Sequence, residues 1–130
     1  HTEPDNKAKN QISTSDALSL QIPTITLDHY LKTMSFVPDL IKIDVEGVEE
    51  SVLRGMKKIL STLKPQLLLE LHFRHFDKFD TEAVDIINFL RDHGYSLSEL
   101  SGHRDQDQGE PQLKQFDIED TTHNPMLYCE

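Results

Sequence analysis

The sequence predicts an α/β fold of three layers, with helices on both faces of a mainly parallel sheet. Three observations lead there. Residues 40–45 and 66–72 are short apolar runs of the length and composition of buried strands. A stripe of apolar side chains at helical spacing lies between them, and a second follows the later run. Strands that alternate with helices of this length call for βαβ crossovers.

At 130 residues the chain has the size of one domain and can bury a core without disulfides or a structural metal. Its single cysteine, Cys129, excludes an internal disulfide framework and the four-thiolate zinc sites. Thirteen basic and twenty-three acidic side chains give a net charge of −10, which argues against nucleic acid or an anionic membrane as partner. No apolar run is long enough for a transmembrane span, and the N-terminus lacks the apolar centre of a signal peptide, so a cytoplasmic protein is expected. The charge is uneven: residues 99–130 hold eight acids against two bases and read as a solvated face or loop.

Residues 1–22 are polar and read as a flexible lead-in to a domain spanning 23–130. Ile25 and Leu27 alternate with Thr24, Thr26 and Asp28, the pattern of a short strand, after which Asp28 suits the N-cap of a helix through Lys32. Pro38-Asp39 is turn chemistry, and the strand 40–45 follows, punctuated by Gly47. Val48, Val52, Leu53, Met56, Ile59, Leu60 and Leu63 form one helical stripe, with Glu49 and Glu50 in its first turn matching the helix dipole. Lys64-Pro65 ends that helix, and the strand 66–72 begins. A second helix is predicted over 80–93, burying Val84, Ile86, Ile87, Phe89 and Leu90, with Gly94 as its C-terminal cap. Residues 95–100 and 126–129 read as two more strands, able to pair antiparallel across the polar loop 101–112.

Ligands of such sheets bind beyond the carboxyl ends of the strands. Period-2 geometry puts Lys42, Asp44 and Glu46 on one face of the first apolar strand, and Glu70 and His72 share a face of the second. If the strands are neighbours, Asp44, Glu46, Glu70 and His72 converge where Gly47 lets the backbone pass closely. Three carboxylates and an imidazole there suit a general base, acceptors for an amine or hydroxyl, or oxygen-rich metal ligation. Plainer roles compete: Lys42 with Glu70 as a structural ion pair, Glu46 and Glu49 as the acidic first turn, and Arg74 and His75 on an exposed loop. No local ligand spacing supports a metal at Asp44, Glu70 and His72, and none is expected. His29, His93, His103 and His123 show no pairing. The glycine-rich phosphate loops, the serine elbow and the CxxC pair are all absent.

The strings Thr26-Leu27-Asp28-His29-Tyr30-Leu31, Asp39-Leu40-Ile41-Lys42-Ile43-Asp44-Val45-Glu46-Gly47-Val48-Glu49, Val52-Leu53-Arg54-Gly55 and Glu70-Leu71-His72 resemble the C-terminal half of the FkbM-type methyltransferases. The likeness runs from about Pro23 to Tyr95. It implies a Rossmann-like sandwich of the class I methyltransferase type whose final strand is antiparallel, and S-adenosyl-L-methionine as cofactor. It implies Asp44 at the reaction centre with Glu46 and His72 beside it, and Asp44 and Val45 against the cofactor. Glu70, Arg74 and His75 would face a small-molecule acceptor, such as a sugar, whose hydroxyl needs a base; His72 or Asp44 could take that part.

The family's glycine-rich turn and ribose-binding acid should precede the TLDxYL segment, where this chain has only polar sequence. The chain therefore reads as the catalytic half of a longer enzyme, inactive alone, with an exposed sheet edge through which it could form a homodimer. The alternative is a non-catalytic interaction module that kept the sheet and lost the cofactor. A metal-dependent hydrolase built on the carboxylates is a third, weaker option.

Overall fold

A computed structural model describes residues 21–102 and 110–130. Residues 1–20 of the expected lead-in and residues 103–109, His103 among them, lie outside the described residues. The elements are α1 (Leu27–Lys32), β1 (Leu40–Ile43), α2 (Glu49–Arg54), α3 (Lys57–Thr62), β2 (Gln66–Glu70), α4 (Phe73–Phe76) running into a 3₁₀ turn (Asp77–Phe79), α5 (Ala83–Asp92), β3 (Leu97–Ser101), β4 (Gln112–Gln115) and β5 (Met126–Cys129). None of the described helices is long and apolar enough to cross a membrane.

The strands form one sheet in the order β1-β2-β5-β3-β4. β1 and β2 are parallel, with Ile43 opposite Leu69. β5 inserts between β2 and β3 and runs antiparallel to both, Leu69 facing Leu127 and Leu97 facing Cys129. The antiparallel pairing expected of the last two apolar segments is present.

Alternation along the strands sorts the sheet into two unlike faces. Ile43, Leu67, Leu69, Leu127 and Cys129 point to one side and are buried with Leu53, Leu60, Ile86 and Leu90 from the helices. Lys42, Leu68, Tyr128 and Ser98, in register with one another on the other side, are exposed or half-buried. Both parallel crossovers step the same way across the sheet, so right-handed connections put their helices on a single face. In agreement, α2 packs against α5, with the Arg54 guanidinium 5.7 Å from the centre of the Phe89 ring. The third layer of the expected sandwich is not formed by the described residues. That is also why β1, an edge strand there, is far from the buried strand the sequence suggested: Leu40 and Lys42 are exposed.

Several local expectations are corrected. Residues 24–28 form no strand. Thr26, not Asp28, caps α1, its hydroxyl accepting from the His29 N–H at 3.2 Å. Asp28 instead reaches thirty residues along the chain, where its two oxygens accept from the Lys58 and Ile59 N–H groups, each at 2.9 Å. Its own N–H donates to the Gly55 carbonyl. These three bonds satisfy the end of α2 and the start of α3, so the single predicted helix is broken at Gly55-Met56.

The helix predicted over 80–93 begins only at Ala83, and its Val84 faces solvent while Ile86, Ile87 and Leu90 are buried. The loop expected around Arg74 and His75 is α4, pinned by the buried Phe76. The polar loop 101–112 yields a hairpin, with Ser101 opposite Gln112 and the wholly exposed β4 at the sheet's far edge. That strand was hidden by its own chemistry, because polar side chains and a lysine are what an edge strand carries.

Candidate functional site

Strands β1 and β2 are in register, so the residues that follow them arrive together. Beyond Ile43 the chain passes Asp44 and Val45, then turns through two left-handed residues, Glu46 (φ 57) and Gly47 (φ 105). Gly47 is demanded twice over. Few L side chains tolerate that φ, and a Cβ there would lie 2.5 Å from the His75 Cβ. Glu46 is held in its strained conformation by α4, where the His75 Nδ1–H donates to the Glu46 carbonyl at 3.0 Å.

Beyond β2 the Leu71 N–H donates to the Pro125 carbonyl, and His72 turns inward ahead of α4. Its side chain is only 6% exposed. Nδ1 lies 2.6 Å from Oε1 of Glu49, a carboxylate buried to 0% exposure at the start of α2. The same Oε1 accepts the Gly47 N–H at 3.0 Å, while Oε2 is buried without a hydrogen-bond partner. One carboxylate thus fixes both the glycine turn and the imidazole.

The far nitrogen of His72 faces the other carboxylates. Nε2 lies 3.6 Å from Asp44 Oδ1, 3.7 Å from Glu46 Oε2 and 3.9 Å from Glu70 Oε1. One donor atom each of Asp44, Glu70 and His72 falls within a common 4.8 Å. His75 completes the wall, stacked on His72 with ring centres 6.1 Å apart and its Nδ1 3.4 Å from Glu46 Oε2. The cluster is graded in exposure: the Glu46 side chain is 68% exposed, Asp44 36%, Glu70 15%.

The convergence of Asp44, Glu46, Glu70 and His72 is therefore present, with His75 beside them. Arg74 is exposed on α4, and none of the ion pairs among the described residues joins it to the cluster. Val45 turns its side chain towards the core, leaving its backbone at the crevice. Lys42 pairs with Asp44, Nζ to Oδ2 at 2.9 Å, rather than with Glu70, and that hydrogen bond and charge raise its pKa. Elsewhere His123, expected to be unpaired, bonds the buried Glu99 at 2.9 Å, and Lys114 reaches the same oxygen at 3.1 Å. Cys129 is no nucleophile: burial pushes its thiol up to about 12.

Glu49 is the functional residue that sequence reasoning missed. In the first turn of a helix a glutamate reads as a dipole partner. The signal lay in its position, since Glu49, Leu53, Met56 and Leu60 follow steps of four, three and four along the buried stripe. A carboxylate on an apolar stripe must have a buried partner.

Chemically, this is a crevice rich in acceptors, able to receive protons and to hold hydroxyls, amines or cations. Among known proteins, the family model of the methyltransferase FkbM domain matches residues 2–97. No curated protein and no solved structure matches the chain.

Proposed function

The chain belongs to the methyltransferase FkbM family, and from that premise we propose that it carries the acceptor side of an S-adenosyl-L-methionine-dependent methyltransferase acting on a hydroxyl of a sugar or similar small molecule. The observation that carries this reading is the cluster of Asp44, Glu46, Glu70 and His72 at the carboxyl ends of two adjacent parallel strands. The topology supports a methyltransferase sheet of the Rossmann-like type, because the last strand inserts antiparallel between two earlier ones.

The donor set suits the cofactor. When bound, S-adenosyl-L-methionine supplies an electrophilic methyl group on a cationic sulfonium, and a crevice lined by carboxylates favours that charge. Asp44 and the backbone of Val45 would hold it. The residues' own work is to align the acceptor and take its proton. Asp44, Glu70 and His72 offer several acceptor atoms, matching a molecule with more than one hydroxyl. Glu46 is the exposed member, so it can take a proton and pass it to water, a part the sequence had suggested for His72 or Asp44. His75 holds Glu46 in place, and Arg74, exposed on α4, would meet the acceptor.

Calorimetric titration of the natural-length protein with S-adenosylhomocysteine tests the cofactor, with micromolar binding expected. Asp44→Asn should slow methyl transfer at least ~100-fold, the scale of a lost general-base or positioning group, with little change in the urea midpoint. Equal loss of activity and stability would return Asp44 to a structural role. Absence of cofactor binding would favour an interaction module, a reading that draws on the exposed Ile25, Phe36, Val37 and Leu40 near the β1 side of the domain. A homodimer through the β1 edge is compatible with either reading.

A further inference from the structure

Glu49 is a costly residue for the place it fills. Its side chain is fully buried, two groups converge on Oε1, and Oε2 has no hydrogen-bond partner among the described residues. A carboxylate taken out of water with one oxygen unused loses solvation that nothing restores. The Gly47 turn alone does not call for it, because an uncharged acceptor would receive that N–H as well. What calls for a carboxylate is the other bond, the 2.6 Å contact with His72 Nδ1. One proton lies between those two atoms, whichever of them holds it.

We infer that Glu49 is a positioning residue for the methyl acceptor, acting through His72: it reserves Nδ1 for the interior and presents Nε2 as the one ring atom able to bond the acceptor hydroxyl. A buried carboxylate behind an imidazole fixes the ring's orientation and leaves a single nitrogen open to the reacting molecule. Exchanging the two nitrogens by rotation would break the bond to Glu49, and the His75 ring, stacked with centres 6.1 Å apart, covers one face. The same Oε1 holds the Gly47 N–H, so a single atom ties the turn that carries Asp44 and Glu46 to the ring that follows β2.

This deepens the methyltransferase reading and rests on it for the acceptor, though not for the Glu49–His72 bond itself. Nε2 stands 3.7 Å from Glu46 Oε2, so a hydroxyl bonded at Nε2 is brought beside the carboxylate proposed to receive its proton.

Long-range ¹H–¹⁵N NMR of the 130-residue chain tests the bond without reference to activity. A proton resonance far downfield of the amide region, slow to exchange and correlated with His72 Nδ1, is expected. Glu49→Gln should remove it while circular dichroism shows the fold retained. In the natural-length protein a double-mutant cycle tests the role. Glu49→Gln should lower kcat at least ~10-fold, the lower end of what a carboxylate behind a working imidazole contributes, with the KM for S-adenosyl-L-methionine unchanged. Combined with His72→Gln, which removes the imidazole, it should lower kcat no further, whereas a merely structural Glu49 would cost the same in both backgrounds. Absence of the downfield proton in the parent chain, its survival in Glu49→Gln, or additive losses in the cycle would overturn the proposal; the parent spectrum decides even if a variant fails to fold. S-adenosylhomocysteine binding is measured separately: binding together with any of those three results sinks the role of Glu49 alone, and no binding sinks the reading beneath it.

Discussion

Truncating Glu49 to alanine would strand two buried donors at once, the Gly47 N–H and the His72 Nδ1–H. Leaving a buried donor without a partner costs about 1–3 kcal/mol, so urea unfolding of Glu49→Ala, which strands two, should show a loss of roughly 2–6 kcal/mol. Cys129 supplies a pH test. Its thiol is held at about 12 by burial, above the ordinary 9.0, so the folded chain keeps a proton that the unfolded chain releases. Stability is accordingly lost as pH rises from about 9 towards about 12, by roughly 1.4 kcal/mol per pH unit from this group. Urea midpoints at several alkaline pH values should fall less steeply for Cys129→Ala. At this scale Asp44, Glu46, Glu70 and His72 were legible, since alternation assigns their faces and the strand-end rule assigns their meeting place. Glu49 was not, because the broken helix that places it is set by contacts distant in sequence.

The joint between α2 and α3 shows how one side chain can set an element. Asp28 closes the gap with two carboxylate bonds to α3, and its backbone bonds the end of α2. Removing an N-cap carboxylate typically costs about 1–2 kcal/mol, and Asp28→Ala should lose at least that on urea unfolding. Asp28→Asn, which keeps an acceptor, should lose less. Loss no greater than for Thr26→Ala, which removes the local cap of α1, would show that the thirty-residue reach adds nothing. The period of the apolar stripe survives the break, so the sequence reads as one continuous helix. What interrupts it comes from an aspartate whose neighbours looked like a strand. α4 escaped notice for a similar reason: four residues carry too little periodicity to announce a helix.

Across the molecule, the alternation of strands and helices was readable because apolar runs and stripes are long and local. The single helical face was not, since it depends on strand order. Ile22, Ile25, Phe36, Val37 and Leu40 leave apolar surface in the stretch around α1 and β1, and β1 is the edge of the described sheet. Such an edge pairs readily with another strand. Sedimentation velocity should show concentration-dependent self-association of this chain, weakened by Leu40→Lys; a monomer at every concentration would argue against the edge dimer.

The inserted position of β5 also has a consequence in time. β2 and β3 have no direct pairing and meet only through residues 126–129. A ribosome that has made everything up to Asn124 has therefore produced two sheet fragments that cannot yet join: β1 with β2, and the β3–β4 hairpin. The core closes only when the strand that divides them emerges. Until then Leu69 is paired on its β1 side alone and Leu97 has no sheet partner, and the growing chain presents two open edges to whatever else is folding nearby.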